Sequence, residues 1–296
     1  MALFTGSGVA LITPFDEKNQ VNYEKLQELI EYHISNHTDA VIVVGTTGEG
    51  STLSEEEHAE VIRQSVAIAN KRIPIIAGTG SNSTETAIQL SKGADHDGAD
   101  GVLVVTPYYN KATQKGLVKH YTAIASAINI PLIMYNIPGR TGVKMTAPTM
   151  AELINTVDNI VGVKEATSDL ELAEQTMLLT NGEADIWSGE DGIVIPLLSV
   201  GGKGVISVIA NIAPQQTHDM VMEYLEGDRM KALQMQLDAL PLVNALFSEV
   251  NPIPVKHAMN AMGMNVGSLR APLYDMEPET AAKLEAEMQK YGVTPW

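Results

Sequence analysis

Cysteine is absent from the 296 residues, which excludes disulfides, thiolate metal sites and a cysteine nucleophile. The absence fits a reducing compartment, and a cytoplasmic protein is the expectation. Basic residues are few: 19 Lys and Arg stand against 36 Asp and Glu, a formal net charge of −17. Such a surface repels phosphate backbones, so no nucleic-acid partner is expected. No apolar run approaches the roughly 20 residues that cross a bilayer, and no membrane partner is expected either. The opening stretch Met1-Ala2-Leu3-Phe4-Thr5-Gly6 lacks a basic segment followed by an apolar one, so no signal peptide is expected. Low-complexity tracts and flexible linkers are missing too. What is there is 45% hydrophobic residues, enough for a sizeable core.

The apolar residues are organised as an alternation. Short runs recur at 8–12, 40–44, 73–77, 101–105, 131–135, 160–164, 184–188 and 204–207. Runs of this length, rich in β-branched residues and bounded by turns, read as buried strands. Amphipathic segments lie between them. Residues 23–37 put Leu26, Leu29, Ile30 and Ile34 on one face of a helix. Ser54 with Glu57 three residues on is a capping box, and Asn82, Ser83 and Thr84 open another helix. Eight strand–helix units in residues 1–227 predict an α/β fold, a closed (β/α)8 TIM barrel. An open doubly wound sheet usually has a glycine-rich turn after its first strand; here Thr13-Pro14-Phe15-Asp16 follows instead. From Asp228 only helical patterns remain, at 230–249, 253–262 and 279–291, broken by Pro252, Pro254 and Pro272. Residues 228–296 are therefore read as a C-terminal helical appendage.

In a parallel barrel the functional groups collect where strands end. Lys164 is the one amine placed directly at a strand end. Burial there favours the neutral amine, a nucleophile; the alternative is a lysine that snorkels to the rim or pairs with Glu165 or Glu49. Tyr135 ends the neighbouring run and either relays protons beside that amine or fills the barrel top. Thr46 and Thr47, after Gly45, either hold a small carboxylate or cap a turn. Arg140, in a loop between Gly139 and Gly142, is a fork for a substrate carboxylate or one half of a surface salt bridge. Tyr108 and Tyr109 either cover the site or belong to an interface.

Other signals fall short. Gly201-Gly202-Lys203-Gly204 is no phosphate loop, because glycine follows the lysine where Ser or Thr is needed. Gly78-Thr79-Gly80 is too short for a dinucleotide fingerprint. His33 and His37 are spaced i,i+4 on an outer helix with no third ligand nearby, so no metal is expected. Met230 and Met235 read as packing.

Several longer stretches, taken together, carry a resemblance. They are Gly45-Thr46-Thr47-Gly48-Glu49, Tyr135-Asn136-Ile137-Pro138-Gly139-Arg140-Thr141-Gly142, Gly162-Val163-Lys164-Glu165-Ala166-Thr167 and Gly201-Gly202-Lys203-Gly204-Val205-Ile206-Ser207. Asn251-Pro252-Ile253-Pro254-Val255-Lys256 and Leu269-Arg270-Ala271-Pro272-Leu273 complete the set. The chain resembles, nearly end to end, the dihydrodipicolinate synthase family within the pyruvate-dependent Schiff-base aldolases. The resemblance implies a condensation of pyruvate with L-aspartate 4-semialdehyde in lysine and diaminopimelate biosynthesis, without a cofactor. It implies an imine on Lys164 and a proton relay of Tyr135, Thr47 and Tyr109, with Tyr109 reaching a neighbouring subunit's site. Thr46, Thr47 and the backbone at Ile206 would contact pyruvate, Arg140 would hold the semialdehyde carboxylate, and Gly189 and Asn251 would line the site. It further implies a homotetramer built from tight dimers.

Two rivals stand beside this reading. One is a lyase or other aldolase of the N-acetylneuraminate lyase type, acting on a sugar-derived 2-keto acid. Arg140 and Lys164-Glu165-Ala166-Thr167 favour the synthase over it. The other is a non-catalytic ligand-binding barrel. One departure from the family pattern concerns regulation: Glu55 and Thr86 stand where lysine-inhibited members are expected to carry a histidine and a glutamate. Weak or absent lysine feedback is therefore expected.

Overall fold

Valine and isoleucine are stiff at χ1 and pack well on a pleated surface, so the eight apolar runs pair with one another as the inner wall of the molecule. The structure, a computed structural model, describes residues 2–293 and 295–296; Met1 of the opening stretch and Thr294 lie outside them. Eight parallel strands follow in order: β1 (Gly6–Ala10), β2 (Ala40–Val43), β3 (Ile75–Gly78), β4 (Gly101–Val105), β5 (Leu132–Asn136), β6 (Ile160–Glu165), β7 (Asp185–Ser188) and β8 (Gly204–Ser207). Each pairs with the next and β8 pairs with β1, closing the expected (β/α)8 barrel. Closure leaves no strand edge open to another chain.

Strand ends differ from the apolar runs by a residue or two, for local reasons. Ile12 leaves the ladder because its N–H goes to Asn211 Oδ1, 3.2 Å away. Pro74 has no N–H to give, so β3 begins at Ile75 rather than at Ile73. Helix starts follow their caps. Asn22 accepts from the Lys25 N–H at the head of Tyr23–Ser35, and Ser83 caps Thr84–His96. Ser54 and Glu57 form the reciprocal capping box of Glu55–Ala69, at 3.1 and 3.0 Å, worth about 1 kcal/mol.

Two of the three hydrophobic clusters among the described residues form the main cores. One fills the shell between strands and helices. There Leu26, Val41 and Ile75 pack in one cluster with Leu242, Met259 and Leu284 of the C-terminal helices Arg229–Leu246, Ile253–Ala261 and Pro278–Tyr291. The other fills the barrel with Ile42, Ile76, Leu103, Ile133 and Ile206. Phe4 and Trp187 belong to it, with ring centres 5.0 Å apart and Trp187 Nε1 donating to the Phe4 carbonyl.

Strand β6 carries a slip in phase. Its register with β5 runs Leu132–Ile160 and then Ile133–Gly162, so β6 holds one extra residue. Ile160 packs in the shell and Val161 against the interior, as alternation requires, yet Val163 is back in the shell. The step over Gly162 absorbs the slip, and only glycine fits there. A Cβ at this position would fall 1.8 Å from the Asp185 carbonyl oxygen. Beyond the slip, Tyr135 pairs with Lys164 and Asn136 with Glu165.

Candidate active site

The C-terminal ends of the strands open into a cavity of about 410 Å³. Its lining includes Thr46 and Thr47 after β2, Tyr135 at the end of β5, Arg140 in the following loop, and Lys164 near the end of β6. Gly189, Glu190, Val208 and Asn251 line it as well. Residues as far apart in the chain as Thr46 and Asn251 are thus brought to one mouth.

Lys164 is 6% exposed, and its Nζ lies 4.5 Å from the centre of the Tyr135 ring. The carboxylates that might have paired with it are engaged elsewhere. Glu165 accepts from Asn136 Nδ2 and the Thr167 N–H, at 2.9 and 2.8 Å, and Glu49 accepts from Lys256. Burial drives the Lys164 pKa down to about 8, although Asp191 and Glu190 pull the other way. Gly189 makes room for the lysine stem, since a Cβ there would sit 3.1 Å from Lys164 Cε and 2.6 Å from Ala166 Cβ. Burial also pushes the Tyr135 phenol up, with Arg140 opposing, so the hydroxyl is a proton donor at neutral pH.

Asp191 is buried at the start of the turn after β7, and its Oδ2 accepts the N–H groups of Val208 and Ile209 at 2.9 and 3.0 Å. This carboxylate ties the β7 end to the β8 end. Among the described residues its other oxygen, Oδ1, has no hydrogen-bond partner, and burial raises the pKa of the carboxyl group. Glu190 and Asp191 were not singled out as candidates in the sequence. Their place two and three residues beyond Ser188, the last residue of β7, is the signal that pointed to them.

Thr47 is buried, and its Oγ1 accepts from Asn251 Nδ2 at 2.9 Å. Thr46, beside it, is exposed to the cavity. Arg140 makes no salt bridge among the described residues; its Nη2 donates to the Asn251 carbonyl at 3.0 Å. Asn251 therefore joins Thr47 to Arg140 across the mouth. Two expected residues stand apart. Ile206 is fully buried in the barrel interior and does not line the cavity, whose β8 side is formed by Val208. Tyr109 is 90% exposed at a loop tip, with φ 74°, outside this chain's cavity. Toward the helix Glu55–Ala69 the cavity continues past Ser51, Glu55, His58 and Thr86. His58 Nε2 donates to the Gly78 carbonyl at 2.8 Å.

A buried amine of lowered pKa, a protonated phenol, a hydroxyl and a guanidinium at one mouth can form an imine with a small keto acid and steady a second anion. Comparison with known proteins agrees with that chemistry. The model of the dihydrodipicolinate synthetase family matches residues 3–291. A 4-hydroxy-tetrahydrodipicolinate synthase of Lachnoclostridium phytofermentans is 57% identical over 293 residues, covering 99% of this chain and 100% of that one. The crystal structure of the chloride-inhibited dihydrodipicolinate synthase of Acinetobacter baumannii, complexed with pyruvate, is 44% identical with a TM-score of 0.95, covering 98% of this chain and 99% of that one. The enzyme of Cyanidioschyzon merolae with lysine bound is 38% identical with a TM-score of 0.96, covering 99% and 100%. On the strength of that end-to-end match, the chain belongs to the dihydrodipicolinate synthetase family.

Proposed function

We infer that this chain is a Schiff-base lyase that condenses pyruvate with L-aspartate 4-semialdehyde, the activity of a 4-hydroxy-tetrahydrodipicolinate synthase. The observation that carries the reading is Lys164, a buried amine with its pKa lowered to about 8, beside Tyr135 in a cavity that also holds Arg140. The neutral Lys164 amine attacks the pyruvate ketone, and loss of water gives the imine. Tyr135 and Thr47 pass the protons of carbinolamine formation and dehydration. The protonated imine draws electrons from the methyl group, a methyl proton leaves, and an enamine forms. Its carbon attacks the aldehyde, while the Arg140 guanidinium holds the semialdehyde carboxylate. The amine of the semialdehyde then displaces Lys164 from the imine, which closes the ring and frees the enzyme. Thr46 and the backbone at Ile206 steady the pyruvate carboxyl, and Gly189 and Asn251 shape the site.

In a tight dimer, the exposed Tyr109 completes the relay of a neighbouring subunit, and a pair of such dimers forms the tetramer. The helical unit 228–296 closes the mouth over the barrel 1–227 by contributing Asn251. A cytoplasmic location accords with this chemistry; among the described residues no helix is long and apolar enough to cross a membrane.

The test is borohydride reduction in the presence of pyruvate, followed by mass spectrometry. A pyruvate adduct on Lys164, absent in Lys164→Ala, is expected; an untrapped protein removes the enzyme reading. Side-by-side turnover of the semialdehyde pair and of a sialic acid separates the synthase from a sugar-acid lyase.

A further inference from the structure

Behind the Thr46–Thr47 loop, outside the cavity lining, Glu49 and Lys256 form an ion pair with Nζ 2.6 Å from Oε1. Their side chains are 0% and 1% exposed. A buried pair of this kind is weak support for a fold, because both charges leave water and an apolar pair of similar volume serves as well. Glu49 bears a second cost. Its φ is 52°, a left-handed conformation that side chains disfavour. The turn around it is tight: the Glu49 N–H donates to the Thr46 carbonyl and the Gly50 N–H to the Gly45 carbonyl, both at 3.1 Å. A Cβ on Gly50 would fall 2.1 Å from the Val44 carbonyl oxygen.

The hydrogen-bond partners of the Glu49 carboxylate come from the C-terminal part of the chain. Oε2 accepts the Arg270 N–H at 2.9 Å. The Phe15 ring lies against both cations, 4.0 Å from Lys256 Nζ and 4.3 Å from the Arg270 guanidinium carbon. Lys256 sits on the helix Ile253–Ala261, and Asn251, two residues before that helix, donates to Thr47 Oγ1. One segment therefore grips the loop twice, at Thr47 through Asn251 and at Glu49 through Lys256.

We propose that Glu49 and Lys256 are positioning residues: their ion pair clamps the 45–50 loop so that Thr46 and Thr47 hold their places in the cavity that contains Lys164. Strain and a buried charge pair meet at one residue that touches no substrate space, and such a combination persists where the geometry it enforces is used. The inference rests on the Schiff-base function proposed above.

The double variant Glu49→Gln/Lys256→Met tests it, since neither charge is then left buried alone. Gln keeps an acceptor for the Arg270 N–H, and Met keeps an unbranched stem over Phe15. The expected result has three parts. The melting temperature stays near the parent's. Amide-exchange protection falls at residues 46–50. Single-turnover trapping of pyruvate on Lys164 slows by about 10- to 100-fold, the scale of a displaced catalytic group. A folded double variant that traps at the parent's rate overturns the proposal. So does one that fails to fold, because the pair would then serve the fold and not the loop. Failure of the parent itself to trap pyruvate strikes only at the Schiff-base reading, and the exchange measurement still decides whether the pair holds the loop.

Discussion

Lys164 Nζ stands 4.5 Å from the centre of the Tyr135 ring, and the two residues are register partners across β5 and β6. The ring face and the carboxylates of Asp191 and Glu190 favour an ammonium ion, whereas burial favours the free amine. Burial is the largest effect, and the pKa falls to about 8. At pH 7 about a tenth of the enzyme then carries the free amine. The rate of borohydride trapping at limiting pyruvate is expected to rise with pH through an inflection near 8. Glu190→Gln, which removes a charge that raises this pKa, moves the inflection to lower pH. A pH-independent rate between 6 and 9 would contradict the assignment, those bounds being roughly one to two units either side of the inflection.

Tyr135→Phe keeps the ring beside Lys164 and removes only the hydroxyl. Burial holds that phenol protonated, so it enters as a donor. A loss of about 100-fold in kcat is expected, the lower range for a general acid–base group, with little change in melting temperature. A variant that keeps kcat would leave Tyr135 a packing residue.

Arg140 is exposed, and among the described residues its one side-chain hydrogen bond goes to the Asn251 carbonyl. Arg140→Ala is expected to raise the KM for the semialdehyde about 10- to 100-fold, the scale of a charged hydrogen bond. Pyruvate trapping on Lys164 should stay close to the parent's rate. If trapping slows as well, Arg140 serves the pyruvate half of the site.

The lysine proposed to form the imine also weakens the fold. An ordinary lysine titrates near 10.5, and Lys164 near 8 in the folded protein. Between those values the unfolded chain binds more protons, so this site makes stability rise with pH from about 8 to about 10.5. Below that window the cost is fully present. Lys164→Met, of similar volume and uncharged, is expected to gain up to about 3 kcal/mol at pH 7, read as a higher urea midpoint. A lower midpoint would show that the amine has a stabilising partner.

Glu55 and Thr86 line the continuation of the cavity with Ser51 and His58. Glu55 puts a carboxylate at the position where a histidine is expected in lysine-inhibited relatives, and Thr86 withholds the carboxylate that would meet a bound ammonium. Weak or absent inhibition by lysine follows. Initial rates titrated into the low-millimolar range check it, and strong inhibition there would refute it.

Much of this molecule is legible along the chain because its signals are local. The barrel shows as eight apolar runs, and Ser54 with Glu57 marks a helix start. Lys164, Tyr135, Thr47, Thr46, Arg140, Gly189 and Asn251 reach one cavity because each lies at or beyond a strand end, or in a C-terminal segment that folds over the mouth. What the chain hides is pairing at a distance. Glu49 and Lys256 are 207 positions apart, and no periodicity links them. Ile206 is hidden differently: a role carried by a backbone atom leaves no trace in the side chain, which here packs inside the barrel.

The extra residue in β6 has a consequence for which changes this site tolerates. Because the step over Gly162 resets which side chains face inward, the side on which Lys164 emerges depends on the number of residues before it. Substitutions at 160, 161 or 163 alter packing by degrees. Were the step lost at the present length, plain alternation from Ile160 would trade the places of lysine and valine, burying an amine among shell helices. The extra residue and the glycine that absorbs it are thus one coupled feature, expected to be kept or lost together among relatives.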